Sequence, residues 1–317
     1  MSIGYIFLSD RARWWEKLLN IILTTKLEEN YIYELSNTSK NCIKRLNKKM
    51  SKNNVKQIIC EKKIEEYIKT DKQQVSKKCI MNYMLLEILK YVFKNQGKEM
   101  EPEDIYFLIN KDEEIYLKNI IVLSKIFKTT NIVTEDINKF EKITETLFNE
   151  DETVISISNN KKKSLRRAKY IVNFDFDTEK LIQYSINRTA VIINVNNDMK
   201  IENIAFEGIC INNINIEIPN EIEKYFDILT EKIDKTTLYV SLLNQKQELE
   251  RIRTRIKDDN IHILNLIGYN GAIEQKELVR ISWQNAKIRL IYIVLSKTVQ
   301  TSSRKGGRQK WKKKKFY

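Results

Sequence analysis

Histidine is almost missing from this sequence, and its scarcity excludes several kinds of active site. The only one in 317 residues is His262, which lies in the apolar stretch 261–267. Zinc proteases with the HExxH motif, and other centres that need two imidazoles, are therefore excluded. Serine or cysteine hydrolysis would have to use His262, and no nucleophile elbow accompanies it. A packed or surface histidine is the favoured interpretation, and no catalytic residue is predicted.

Glycine is scarce as well, with seven in the chain beside two prolines. None of the seven begins a GxxxxGK[S/T] or GxGxxG motif. Loops that cradle phosphate use glycine because their backbone must come close to the phosphate and adopt positive φ. P-loop NTPases and standard dinucleotide-binding domains are therefore disfavoured, and no cofactor is predicted.

Paired cysteines and long apolar runs are missing too. The four cysteines form no CxxC pair and have no metal-ligand spacing; they are Cys42, Cys60, Cys79 and Cys210. We expect reduced thiols and no metal site. No signal peptide is indicated, because charged residues at positions 10, 11 and 13 precede any useful apolar run. The run Leu290–Leu295 is too short to span a bilayer. These features predict a cytoplasmic protein without a transmembrane segment.

Residues 104–218, in contrast, carry a regular alternation of apolar runs and helical periodicity. The predicted strands are Ile105–Ile109, Asn131–Val133, Thr153–Ile157, Tyr170–Phe174 and Thr189–Val195. The predicted helices between them are Glu113–Lys128, Ile137–Phe148, Lys162–Ala168 and Thr178–Tyr184. Strands that alternate with helices form a parallel sheet through right-handed crossovers. The fold class predicted is therefore α/β, with a Rossmann-like middle domain.

The flanking segments complete the predicted domain organisation. Residues 1–100 form an N-terminal α/β portion with helices at Arg13–Leu23 and Ile80–Phe93, and a break near Gly97 and Pro102 separates it from the Rossmann-like domain of residues 101–218. Residues 219–300 are predicted to be helical, through Ile222–Ile233 and Leu238–Ile256, and residues 301–317 form a basic tail.

The middle third of the chain resembles the nucleotide-binding half of shikimate dehydrogenase and glutamyl-tRNA reductase-type proteins. Glu135 and Asp136 follow the second strand, where that family places its ribose-binding acid. Residues 166–173 resemble the lead-in to the family's fourth strand, and Asn194 closes the fifth. The resemblance implies an NAD(P)-dependent oxidoreductase with a degenerate site. Its site would use Asn110, Lys111, Glu135, Asp136, Ser158 and Asn173. The whole chain also resembles proteins of AT-rich Gram-positive anaerobes, which implies no activity.

The loop after the first strand of this domain departs from that family. It reads Asn110-Lys111-Asp112-Glu113-Glu114, where the family has glycines. Carboxylates at a helix start repel a pyrophosphate and stabilise the helix in its place. We predict that Asp112 or Glu113 caps a helix beginning near Glu114, and that this helix start holds no phosphate.

Positive charge is concentrated at the end of the chain. The formal net charge is +14, yet residues 286–317 hold eleven basic and no acidic residues, which leaves +3 for the first 285. Cations neutralise phosphates, and interleaved aromatic rings stack on bases. The predicted nucleic-acid-binding residues are Lys287, Arg289, Arg304, Lys305, Arg308, Lys310, Trp311, Lys312 and Lys313. The same composition suits an anionic membrane surface or a solvated tail.

A winged helix-turn-helix is a further interpretation of residues from about 260 onward. It needs a helix at Ile261–Gly268, a strand and helix within Gly271–Val279, a recognition helix at Gln284–Ser296 and a wing at Ser302–Tyr317. A buried strand is the alternative for the apolar residues 290–295.

The function predicted from these features is a non-enzymatic protein that binds DNA or RNA through its basic C-terminus. The alternative is the NAD(P)-dependent oxidoreductase implied by the resemblance. A third possibility is a structural domain that kept the fold and lost the ligand.

Overall fold

A computed structural model of the protein describes residues 2–141, 155–202, 205–227, 229–243 and 248–281. Its strands are β1 Ile3–Leu8, β2 Ile22–Leu27, β3 Asn30–Leu35, β4 Gln57–Cys60, β5 Gln73–Gln74, β6 Asp104–Leu108, β7 Thr129–Val133, β8 Ile155–Ser158, β9 Tyr170–Asn173, β10 Val191–Asn194, β11 Ile209–Ile211, β12 Asn213–Glu217, β13 His262–Gly268 and β14 Gly271–Ile273. Its first five α-helices are α1 Trp14–Leu19, α2 Lys40–Lys52, α3 Cys79–Tyr83, α4 Leu85–Gln96 and α5 Glu114–Ser124. Further helices are Lys161–Arg167, Thr178–Leu181, Asn220–Lys224, Lys235–Leu242 and Leu249–Asp258, and a 3-10 helix spans Lys62–Tyr67.

The N-terminal part is a five-stranded sheet in the order β2-β3-β1-β4-β5. β1 pairs in parallel with β3 and β4, and only β2 runs antiparallel, against β3. The predicted helix Arg13–Leu23 is therefore confirmed as far as Leu19 and is wrong in its last four residues. The helix ends at Leu19, Asn20 takes a left-handed conformation (φ 53°), and β2 begins at Ile22. Residues from Ile22 onward form a strand because they pair with β3. The helical spacing of their apolar residues gives no sign of this pairing.

The middle part is a six-stranded sheet in the order β11-β10-β9-β6-β7-β8, with every pair parallel. Numbered from β6, this is the order 3-2-1-4-5-6 of the doubly wound dinucleotide-binding fold. The strands lie where the alternating pattern predicted them. The sixth, β11, was not predicted because it has only three residues, Ile209–Ile211.

Glycine at position 208 is required for the last pairing of this sheet. A β-carbon there would lie 2.2 Å from the backbone oxygen of Ala190, just before β10, and 2.5 Å from the Phe206 ring. β11 therefore reaches β10 only because the preceding residue has no side chain.

The C-terminal part differs from the predicted helical region. β12, β13 and β14 form a small antiparallel sheet, so the helix expected at Ile261–Gly268 is a strand. The first helix of the winged-helix interpretation is thus wrong, although residues 275–281 are helical. The two long helices expected after Pro219 are replaced by shorter ones, with Leu243 extended after Lys235–Leu242.

One hydrophobic cluster joins the sheets. Phe93 of α4 packs against Tyr170 of β9 at 4.4 Å between ring centroids and against Phe127 at 5.7 Å. Tyr5 of β1 packs edge-on against Phe226, and its hydroxyl lies 3.0 Å from Ser241 Oγ. The division into domains at residues 100 and 218 remains a prediction. Among the described residues, no helix is long and apolar enough to cross a membrane.

Candidate functional site: the crevice beyond the parallel strands

The strand order places a candidate crevice at the carboxyl ends of β6 and β9. In doubly wound sheets, ligands bind where the strand order reverses, beyond the ends of the two strands on either side of the switch. Here these strands are neighbours, paired from Ile105 with Tyr170 to Leu108 with Asn173. The loops that follow them, 109–113 and 174–177, therefore form the walls of the crevice.

Asp175 occupies the backbone donors of the first of these loops. The N–H groups of Asn110 and Lys111 donate to its Oδ1 and Oδ2 at 2.8 and 2.6 Å. Burial raises the pKa of Asp175, while these two hydrogen bonds act in the opposite direction. In a dinucleotide-binding domain, such N–H groups hold the pyrophosphate. In this chain they hold a carboxylate of the protein itself.

α5 begins at Glu114, as predicted, but the predicted side-chain cap does not form. Glu113 stands at the N-cap position of the helix, and its side chain makes no capping hydrogen bond. Asp112 instead pairs with Lys139 at 2.8 Å, which lowers the pKa of its carboxyl group. Glu114 pairs with Lys118 one turn along the helix at 2.7 Å. The N–H groups before the helix, those of Asn110 and Lys111, donate to Asp175 instead.

Asn110 and Glu135, both expected to bind a cofactor, are paired within the protein. Asn110 Oδ1 accepts the backbone N–H of Glu135 at 2.9 Å and so ties the end of β6 to the end of β7. The Glu135 carboxylate lies 2.5 Å from Lys161 Nζ, and this contact lowers its pKa. The acid predicted to bind ribose is thus already paired with a lysine.

Three buried asparagines join the ends of β9, β10 and the residue after β11. Asn173 Nδ2 donates to Asn194 Oδ1 at 3.2 Å, and Asn194 Nδ2 donates to Asn212 Oδ1 at 2.9 Å. Asn212 also exchanges two hydrogen bonds with the backbone of Met199. Asn194 is fully buried, and the other two are almost so. These amides therefore connect neighbouring strands, because a buried amide needs its partners inside the protein.

A second cleft lies beside the carboxyl ends of β4 and β5. Its volume is about 460 Å³, and four lysines line it: Lys62, Lys77, Lys78 and Lys232. Two are engaged, since Lys78 contacts Asp198 and the carbonyl of Asn212, and Lys232 contacts Asp10. Cys60 also lines the cleft, and burial raises the pKa of its thiol to about 12. Two acids, Glu65 and Asp234, also line the cleft, which therefore has mixed charge and offers no activated thiol.

Within the described ranges, no group of three histidine, cysteine or acidic residues could hold a metal ion. The other three thiols, of Cys42, Cys79 and Cys210, also have pKa values raised first by burial. None of the four cysteines is therefore poised as a thiolate nucleophile.

The structure brings only some of the predicted residues together. Asn110, Lys111 and Glu135 meet at the crevice, Asn173 lies in the asparagine chain, and Ser158 Oγ accepts the N–H of Asn160. The residues predicted to bind nucleic acid lie outside the described residues; they are Lys287, Arg289, Arg304, Lys305, Arg308, Lys310, Trp311, Lys312 and Lys313.

Sequence reasoning missed Asp175 and Asn212. A signal for them does exist. Asn173, Asn194 and Asn212 each end or follow an apolar run, and Asp175 comes two residues after the run that forms β9. Polar residues at the ends of parallel strands meet at one edge of the sheet.

The strand order and the parallel pairing define an α/β protein of Rossmann-like architecture. No protein-family model matches the sequence, and a search of curated proteins finds no significant relative. Solved structures with distant similarity include shikimate 5-dehydrogenase from Listeria monocytogenes, at 12% identity and a TM-score of 0.34, over 76% of this chain and 95% of that one. L-tryptophan dehydrogenase from Nostoc punctiforme has 7% identity and a TM-score of 0.34, over 91% and 89%. Ornithine carbamoyltransferase from Pyrococcus furiosus has 11% identity and a TM-score of 0.27, over 61% and 71%. These similarities are too distant to carry an argument about function.

Proposed function

We propose that this chain is a non-enzymatic protein that binds nucleic acid through its basic C-terminal segment. The observation that carries the proposal is the charge count, with eleven basic and no acidic residues from 286 to 317. Phosphate contacts supply most of the affinity of non-specific nucleic-acid binding, and lysine and arginine make them. Trp311, Phe316 and Tyr317 add rings on which bases stack.

The arrangement of the crevice supports the non-enzymatic part of the proposal. Asp175 takes the backbone donors of the loop after β6, and Lys161 takes the carboxylate of Glu135. A dinucleotide would have to displace both contacts and would bring two phosphates close to Asp175, Asp112 and Glu113. The repulsion between these charges disfavours the bound state.

Two double variants with equal loss of charge test the nucleic-acid contact. Lys312→Gln with Lys313→Gln removes two cations from the tail, and Lys62→Gln with Lys77→Gln removes two from the second cleft. If the tail cations contact phosphates, the slope of log K against the logarithm of salt concentration, for duplex DNA, falls in magnitude by about 0.9 for each cation removed. The tail variant should therefore lose about 1.8 from the slope, and the cleft variant should match the parent chain.

Deletion of residues 304–317 is the stronger form of the same test, measured against DNA and RNA. We expect affinity to fall sharply while the melting temperature stays unchanged. Unchanged binding after deletion, or binding that does not depend on salt, would contradict the proposal.

The alternative, an NAD(P)-dependent oxidoreductase, has one observation in its favour, the 3-2-1-4-5-6 strand order. A ligand of the native state must raise its stability, so thermal unfolding in millimolar NAD(P)H separates the two candidates. We expect no shift of the melting temperature. A shift that grows with cofactor concentration would favour the oxidoreductase.

A further inference from the structure

The helix α1 turns its apolar side chains towards solvent. Among the described residues nine large hydrophobic side chains are exposed, and five of these fall between residues 14 and 23. Trp14 is 77% exposed and Leu18 71%, and α1 has no buried residue at all. Leu19, the last residue of α1, and Leu23, on the adjoining edge strand β2, are more than half exposed. Clustered apolar exposure of this kind marks an interaction surface.

Polar contacts at its C-terminal end hold α1 in this orientation. Asn37 Nδ2 donates to the carbonyl of Lys17 at 2.5 Å, and Arg45 donates to the carbonyl of Leu19. Asn20, the left-handed C-cap, accepts hydrogen bonds from Asn37 and Ser39. The helix is therefore fixed to the rest of the protein through its carbonyl groups, and its apolar side chains are left uncovered.

Cations without ionic partners surround this apolar surface. Arg11, Arg13 and Lys17 are exposed and form no ion pair in the part of the chain that the structure describes. The nearby acids are engaged, since Glu16 accepts the backbone N–H of Arg13 at 2.6 Å and Asp10 contacts Lys232. Exposed apolar side chains and exposed cations therefore lie next to one another along residues 11–23.

Charge and side-chain type select among the possible occupants. A second copy would bring two sets of the same cations into one interface, because a two-fold interface joins identical patches. Single-stranded nucleic acid stacks on aromatic rings, but three of the five apolar side chains are leucines, which offer no stacking face. Tryptophan and leucine beside arginine and lysine are the composition of helices that lie at the surface of anionic bilayers.

We propose that α1 docks this protein on a membrane that contains anionic lipid. Trp14, Trp15 and Leu18 enter the interfacial layer, and Arg11, Arg13 and Lys17 contact lipid headgroups. This docking is independent of the nucleic-acid function proposed above, because it uses a different part of the chain.

The test uses the full chain and vesicles of phosphatidylcholine, alone or mixed equally with phosphatidylglycerol. The variant Trp14→Ser with Leu18→Ser removes the two most exposed apolar side chains, and neither is buried, so the fold should survive. Leu264→Ser, which removes a 52% exposed leucine from β13, is the matched control. We expect the parent chain and the control to sediment with the mixed vesicles, and the double variant to bind them about tenfold more weakly.

A second measurement separates insertion from adsorption. Lipids with brominated acyl chains quench tryptophans that enter the bilayer, and Trp14→Phe with Trp15→Phe keeps the apolar surface while removing its fluorophores. We expect this variant to bind vesicles like the parent chain and to lose most of the quenching.

The basic tail also attracts anionic vesicles, so each comparison is repeated in a chain without residues 304–317. Docking by α1 predicts that the tenfold effect of Trp14→Ser with Leu18→Ser persists there. Equal vesicle binding by the parent chain and this variant would overturn the proposal, whatever the outcome for nucleic acid. Two other outcomes would also overturn it. One is a dimer of the parent chain, in the absence of lipid, that Trp14→Ser with Leu18→Ser converts to monomer. The other is binding of single-stranded DNA that the same variant abolishes.

Discussion

At the residue scale, Asp175 decides what the loop after β6 can bind. Its two carboxylate oxygens accept both backbone N–H groups at the start of that loop, 2.8 and 2.6 Å away. The same position in a doubly wound domain is where a ligand phosphate meets free N–H groups. The side chain of Asp175, in the loop after β9, therefore takes the place of the ligand. The loop after β6 carries three acids of its own that could have accepted these N–H groups.

The raised pKa of Asp175 predicts a pH dependence with a definite sign. Because the folded pKa lies above the ordinary value of 3.8, the carboxyl group stabilises the fold fully below 3.8 and loses this contribution as pH rises through the folded pKa. The difference in unfolding free energy between the parent chain and Asp175→Asn should therefore fall as pH rises above 3.8. Urea unfolding at a series of pH values measures it.

Asp112→Asn is the control for this prediction. Lys139 lowers the pKa of Asp112, so its contribution is present above 3.8 and is lost as pH falls. The two variants should show slopes of opposite sign. The prediction for Asp175 is contradicted if the unfolding free energy of the parent chain, minus that of Asp175→Asn, grows with pH. That result would mean that the loop prefers the ionised carboxylate.

At the scale of elements, the chain of Asn173, Asn194 and Asn212 fastens three neighbouring strands at their carboxyl ends. Asn194 is the middle member and is fully buried. Asn194→Ala should lower the unfolding free energy by about 1–3 kcal/mol, because it leaves buried amide groups without a partner. The exposed Asn197→Ala should change it by less than about 0.5 kcal/mol. Equal effects of the two substitutions in chemical denaturation would show that the asparagine chain adds nothing to stability.

Element prediction succeeded where local pattern and pairing agree. β9 and β10 are mostly apolar runs between helices, buried at every residue in a parallel sheet, and their sequences already show this. The helical spacing of apolar residues wrongly predicts helix for the first two residues of β2 and, in the winged-helix interpretation, for β13. β2 pairs with β3, and β13 lies between β12 and β14. Such pairings override propensity. β2 with β3 and β13 with β14 are short hairpins, and only β12 comes from a distant part of the chain.

At the scale of the whole molecule, one core runs through the two larger sheets. Phe93, on α4 before the predicted boundary at residue 100, packs on Tyr170 of the six-stranded sheet, whose hydroxyl donates to Gln96 at 2.7 Å. Tyr5 of the five-stranded sheet belongs to the same cluster. The two parts should therefore unfold together.

Phe93→Ala tests this cooperativity. It should cost about 3–5 kcal/mol, as the loss of a buried phenylalanine does. Hydrogen exchange should accelerate equally for amides of β1 and β9, and Lys90→Ala, an exposed change on the same helix, should affect neither. Faster exchange in β9 alone would mean that the predicted domains fold separately.

The sequence by itself determined the α/β class and the parallel middle sheet. These follow from residue type and local period, which need no knowledge of distant partners. Only the tertiary structure decided the strand order, the capture of the loop by Asp175, and the outward apolar face of α1. Each of these depends on which distant segments meet: residues 110 and 175 in the crevice, and residues 37 and 45 at the end of α1. Local periodicity carries no information about such contacts. Hydrogen bonds between distant segments form, and their side chains become buried, only when the whole chain is packed.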